Sequence, residues 1–207
     1  MRRVRLLLAP QMQKLNCPTT IKLWERSLKS DYWSRMCLEK MKFDPGAVCL
    51  IVPAKAKKLP TEGEAAASSS AAGAATAATS ATASSGRKEY HASQQPLMVF
   101  PMEVTNGASN VFKTIHGGML TSLVDITTSL HLTHYFRPEP VGHVSVSIST
   151  QFMKAASCET KIHAVTRLDK VGKSTAFMSV KFVDAEDHTI IYATGTHVEA
   201  IKRRLDF

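Results

Sequence analysis

Hydrophobic residues recur with a helical period in one stretch of the chain and with a period of two in the stretch after it. Leu120, Leu123, Val124, Thr127 and Leu130 are spaced i, i+3, i+4, i+7 and i+10, one helix face with Thr127 its only polar member. This predicts a long helix over 119–136, opened by Gly117-Gly118 and stopped by Arg137-Pro138-Glu139-Pro140. The adjoining stripe holds Gly118, Ser122, Asp125 and Ser129, small or polar, with one carboxylate among them. Downstream, Val144, Val146, Ile148, Thr150 and Phe152 alternate with Ser145, Ser147, Ser149 and Gln151, which predicts a strand. Similar patterning predicts strands over 162–168, 175–183 and 190–201, joined by turns at 169–173 and 184–188. Upstream, the pattern predicts a helix over 21–41, a turn at Asp44-Pro45-Gly46, and strands over 47–52 and 97–104. Two strands, a helix, then four strands in hairpin succession give an α+β arrangement, an antiparallel sheet wrapped around one helix.

Composition changes this picture at the ends and in one insert. Residues 65–86 are all Ala, Ser, Thr or Gly and offer no core face, so 61–89 reads as a disordered insert in a connecting loop. The net charge of +9 resides wholly in residues 1–60, where 13 Lys or Arg stand against 4 Asp or Glu. Residues 1–24 carry five basic residues, no acidic one, and Leu6-Leu7-Leu8. They fit a mitochondrial presequence or a disordered basic tail, which leaves the protein mitochondrial or cytoplasmic. The expected organisation is a basic extension over 1–30, a folded domain over 31–201 broken by the insert, and a tail over 202–207. No nucleic-acid motif accompanies the charge, and no apolar run approaches the roughly 18 residues of a membrane span. The four cysteines (Cys17, Cys37, Cys49 and Cys158) form no CxxC pair and read as reduced thiols.

The candidate chemistry sits at the helix. A helix opening on Gly117-Gly118 directs unpaired N–H groups and its positive dipole end forward, beside His116. Asp125 lies eight residues beyond Gly117, about 12 Å along the axis at 1.5 Å per residue. A base must come within about 3 Å of the proton it removes, so Gly117 and Asp125 of one chain hardly serve one small reacting centre. A second, antiparallel copy of the helix would unite them, which points to a homo-oligomer. The plain alternatives are that Asp125 is a polar residue on a solvated face and His116 a packed loop residue. His131 and His134, with His143 further on, suggest a metal, but no Cys, Asp or Glu completes a ligand set. No serine lies in a nucleophile-elbow sequence, which excludes that form of Ser-His-Asp triad.

Asn110, then His116-Gly117-Gly118 after five intervening residues, Asp125 nine after the histidine, and Val144-Ser145-Val146 opening a strand resemble the hotdog-fold acyl-CoA thioesterases. The likeness is to the phenylacetate-pathway group and covers residues 31–52 and 97–201. It implies a hotdog fold and hydrolysis of fatty or aromatic acyl-CoA to free acid and coenzyme A, with no cofactor beyond the substrate's own coenzyme A. It implies a homodimer or a homotetramer. By the resemblance, the Gly117 N–H polarises the thioester carbonyl and Asp125 of the partner subunit acts as general base or nucleophile. Asn110 orients the water or carbonyl, His116 holds the loop near the thioester, and Ser145 assists Asp125. Coenzyme A would lie along 152–157 and 170–175, with Lys154, Lys170, Gly172, Lys173 and Ser174 toward its phosphates. The lysines equally fit ordinary solvated turns. Lys154-Ala155-Ala156-Ser157 stands where the family often has Ser-Pro-Ala-Lys, and the 61–89 insert is a second departure. The alternative function is a non-catalytic hotdog protein that binds acyl-CoA or serves in assembly.

Overall fold

A computed structural model describes residues 12–51, 96–138 and 141–202. The 61–89 insert, the first 11 residues and the last five of the chain lie outside the described residues.

The elements in chain order are β1 (Met12–Lys14), α1 (Pro18–Ser30), α2 (Tyr32–Lys40), β2 (Cys49–Ile51), β3 (Leu97–Glu103), α3 (Gly117–Tyr135), β4 (Gly142–Phe152), β5 (Lys161–Val171), β6 (Thr175–Asp184) and β7 (Ile191–Lys202). Among the described residues seven strands form one antiparallel sheet in the order β1-β2-β3-β5-β6-β7-β4, with β4 at one edge. This is the hotdog arrangement, a sheet around one long helix. The predicted stripe Leu120, Leu123, Val124, Thr127 and Leu130 is buried, and from Ile126 to His134 all residues but Ser129 are buried. A helix so enclosed needs its polar groups satisfied internally. Thr127 donates to the Leu123 carbonyl (2.7 Å), and Thr128 to that of Val124 (2.6 Å).

Gly195 on β7 sets how closely α3 can approach. A Cβ there would stand 2.4 Å from Val124 Cγ2 and 2.9 Å from its Cγ1, so only glycine lets the helix reach this strand. With that contact fixed, the α3-facing row of β7 includes His197 and Glu199, which reach Thr128 and Ser129 one turn further along the helix.

The structure corrects several expectations. Residues 12–30 belong to the fold and are not an extension: β1 pairs with β2, and Trp24 is fully buried, its indole N–H donating to the Leu130 carbonyl (2.9 Å). The helix expected over 21–41 is two helices broken at Asp31, whose carboxylate caps the second by accepting from Ser34 N. The turn expected over 169–173 is shorter, because β5 continues to Val171 past a bulge between Leu168 and Lys170. The simple alternation of β4 also fails. A bulge between Ser145 and Ser147 shifts its register on β7, so Ser145 and Ile148 both face α3 while Val144 and Val146 are exposed.

His131 and His134 are core residues. His131 Nδ1 bonds to Thr166 (2.9 Å), and His134 bonds through Nδ1 to Thr20 (2.8 Å) and through Nε2 to Arg137 (2.8 Å). Burial lowers them to about 3 and about 4, so both are neutral at ordinary pH.

Candidate active site

The loop leading into α3 is organised by Asn110. Its Oδ1 accepts from Phe112 N (2.9 Å) and Thr114 N (3.3 Å), and its Nδ2 donates to Thr114 Oγ1 (3.0 Å). The Asn110 amide therefore shapes the loop, as short polar side chains do in turns. The loop delivers His116 to the N-cap of α3, where Nδ1 accepts from Gly118 N (2.9 Å). That bond fixes Nδ1 as the acceptor, so the neutral ring carries its proton on Nε2. The Gly117 N–H has no hydrogen bond among the described residues and points from the positive end of a 19-residue helix. It borders an open pocket of about 310 Å³ lined by Thr114, Ile115, Leu120, Phe152, Met153 and Lys154. The Phe152 ring lies against Gly117, 3.2 Å from where a Cβ would be.

Further along the same helix a second polar cluster forms. Ser145 Oγ donates to Asp125 Oδ1 (2.8 Å), and His197 Nε2 stands 3.5 Å from the same oxygen. Behind them His197 Nδ1 meets Thr128 Oγ1 (2.7 Å) and Glu199 Oε1 (3.2 Å). Ser129 donates to Glu199 Oε1 (2.9 Å), and His143 Nε2 lies 3.5 Å from Glu199 Oε2. The side chains of His197 and Glu199 are 0% exposed, whereas that of Asp125 is 44% exposed. Burial pushes the Glu199 carboxyl up to about 7, Asp125 adding to the shift and the Ser129 bond opposing it. Burial lowers His197 and His143, while the charge of Asp125 pulls both the other way.

A helix-end N–H facing a pocket, and a carboxylate held by a serine from the next strand, are the two parts acyl transfer to water requires. Residues 112–191 match the family profile of the thioesterase superfamily. Over those residues the chain is similar to the thioesterase superfamily. The chain is 29% identical over 102 residues to acyl-coenzyme A thioesterase 13 of Mus musculus, a match spanning 49% of this chain and 71% of that protein. Among solved structures, zebra fish thioesterase superfamily member 2 shares 27% identity over 51% of this chain and 75% of its own, with a TM-score of 0.47. Thioesterase superfamily member 2 from Mus musculus shares 28% over 50% and 74%, with a TM-score of 0.46.

The residues expected at the site fall into two groups. Asn110, His116, Gly117 and Lys154 gather at the start of α3, whereas Asp125 and Ser145 stand with the second cluster. The Lys170, Gly172, Lys173 and Ser174 hairpin lies away from Lys154. Thr175 pairs with Ala200 and Val144 with Ala200, at the start of β4, while Phe152 at its end pairs with Ala193. One chain therefore does not bring these hairpin residues to Lys154. His197 and Glu199 escape the sequence reading, whereas His143, weighed there as a metal ligand, lies beside Glu199. The signal of the first two is the period of two along β7, where Ala193, Gly195, His197, Glu199 and Ile201 alternate onto a buried row.

Proposed function

We propose that this protein hydrolyses acyl-CoA thioesters to a free acid and coenzyme A, in a site built by two copies of the chain. The observation that carries this reading is the separation of the free Gly117 N–H from Asp125 along one continuous helix. Eight residues of α3 hold them about 12 Å apart, whereas an oxyanion donor and a base each work within about 3 Å of their targets on one thioester. An antiparallel α3 from a second copy supplies the missing half to each site. The edge strand β4 fits such pairing: Val144 and Val146 are 46% and 63% exposed beside an outer edge that no described strand covers.

In this reading the Gly117 N–H polarises the thioester carbonyl, and Asp125 of the second copy takes a proton from water. The water oxygen bonds the carbonyl carbon, the C–S bond breaks, and the departing sulfur takes up a proton. His116 holds the helix end through Gly118, Asn110 holds the loop, and Ser145 orients Asp125. Lys154 of one copy, with Lys170 and Lys173 of the other, supplies charge toward the coenzyme A phosphates.

A steady-state assay of free-thiol release across an acyl-CoA chain-length series tests the activity. Release well above the buffer rate is expected for at least one chain length. Acyl-CoA binding without hydrolysis at any length would make the protein a binding module instead. Light scattering on the active species tests the assembly, and an active monomer would defeat the shared site.

A further inference from the structure

The cluster behind Asp125 holds too few protons for the groups it presses together. Thr128 has one hydroxyl proton and gives it to the Val124 carbonyl (2.6 Å), so its oxygen must accept from His197 Nδ1 (2.7 Å). With that proton on Nδ1, a neutral His197 aims the Nε2 lone pair at Asp125 Oδ1, 3.5 Å away. His143 repeats the pattern. Its Nδ1 lies 3.2 Å from the Val141 carbonyl, which can only accept, so the neutral ring turns its Nε2 lone pair toward Glu199 Oε2 at 3.5 Å. His197 Nε2 and Glu199 Oε2 are both buried without a hydrogen-bond partner. In the buried Glu199–His143 pair a lone pair facing a carboxyl oxygen is stable only if the two share a proton, whereas Asp125, 44% exposed, is solvated and leaves the His197 Nε2 lone pair able to accept one.

We infer that Glu199, sharing one proton with His143, is a positioning residue that governs through His197 how Asp125 takes up and returns the proton of the attacking water. The inference rests on the thioesterase reading above. When Asp125 removes that proton, its Oδ1–H faces His197 Nε2, which can take the proton as an imidazolium with Glu199 Oε1 beside Nδ1. As the C–S electron pair leaves with sulfur, the same proton returns through Asp125 to the thiolate. An ionised Glu199 favours the imidazolium and so strengthens the acceptor; a protonated Glu199 weakens it. The groups facing Glu199 are Asp125 and Ser129 from α3, His143 and Ser145 from β4, and His197 on its own strand, with the uncharged Ala176 opposite on β6.

The test compares Glu199→Gln with the parent in the full-length protein, measuring kcat and KM against one acyl-CoA at about pH 6 and about pH 8, either side of the Glu199 titration near 7. The amide keeps size and polarity but cannot ionise. The expected result is near-equal kcat at the lower pH, a variant about tenfold slower at the higher, or about 1.4 kcal/mol, and KM within about twofold at both. A parent-to-variant ratio that does not change with pH, whether near one or uniformly large, would make Glu199 merely structural and overturn the inference. If the variant does not fold, ring ¹⁵N spectra of the parent's histidines decide. A His143 Nε2 signal that changes protonation between these pH values supports the inference, and one that stays fixed overturns it. A parent that hydrolyses no acyl-CoA would instead overturn the thioesterase reading itself, which keeps the two failures distinct.

Discussion

At the start of α3, Asn110 and Thr114 satisfy each other and the loop backbone, His116 accepts from Gly118 N, and the Gly117 N–H is left free beside the pocket. About two turns further on, Asp125, His197, Glu199 and His143 crowd carboxylates and imidazoles together, with two buried polar atoms unpartnered. The first region borders an open pocket and is held by contacts within its own loop and by backbone bonds to the 156–158 segment. The second is ionisable, enclosed at His197 and Glu199 but half-exposed at Asp125, and assembled from α3, β4 and β7. Under the proposed function the difference matches two tasks. A hydrogen-bond donor for a developing oxyanion works best when fixed beforehand, whereas a base must change its protonation state during each turnover.

Removing the base should break the comparison most severely. Asp125→Asn is expected to lower kcat by about 10³-fold or more, within the range lost with a general base. Folding and coenzyme A affinity should stay near the parent's, as checked by circular dichroism and calorimetry. Turnover within a few-fold of the parent would remove Asp125 from the mechanism.

If the two regions serve one site only across two copies, inactive chains should rescue one another. Asp125→Asn mixed equally with His116→Ala should recover about a quarter of parental activity, because random pairing makes half the dimers mixed, each with one intact site. Differently tagged chains verify the exchange. Confirmed mixed dimers without recovered hydrolysis would show that each site lies within one chain.

A third change reaches only the enclosed region. Gly195→Ala puts a Cβ 2.4 Å from Val124 Cγ2, next to Asp125. It should destabilise the fold by about 1–3 kcal/mol, as overpacking does. Chemical denaturation measures this, and an unchanged midpoint would mean that α3 is free to shift.

The pH dependence of stability sharpens the contrast between Glu199 and the core histidines. Glu199 is raised from 4.5 to about 7, so the native state holds its proton where the unfolded chain has lost it. Its contribution is complete below about 4.5 and is lost as pH rises through about 7. His131 and His134 are lowered from 6.5 to about 3 and about 4, so theirs is complete above 6.5 and is lost as pH falls through those values. Glu199→Gln should flatten only the alkaline side of the curve in denaturation at fixed pH steps. Loss of the acid side instead would misplace the ionisation.

The smallest effect is expected at the pocket rim. Lys154→Ala should raise KM about two- to fivefold with kcat unchanged, the pattern of lost uniform binding, and the effect should shrink as salt is added. A fall in kcat would bring Lys154 into the chemistry.

The sequence by itself determined the central helix, because a buried helix needs apolar positions at 3.6-residue spacing and Leu120, Leu123, Val124 and Leu130 supply them. It determined the later strands, and the order of elements implied an antiparallel sheet. It also set Gly117 and Asp125 too far apart to meet, since both lie on one rigid helix with a fixed rise. Only the tertiary structure decided that residues 12–30 join the core, because Trp24 is buried by a partner, Leu130, more than a hundred positions away. The β4 bulge that turns Ser145 toward Asp125 was equally hidden, since local alternation does not reveal where a register slips. His197 and Glu199 looked like ordinary strand residues until Gly195 let α3 settle on β7 and closed a buried cluster around them. A proton's affinity for such a group depends on burial and neighbouring charge, and both come from chain segments distant in sequence.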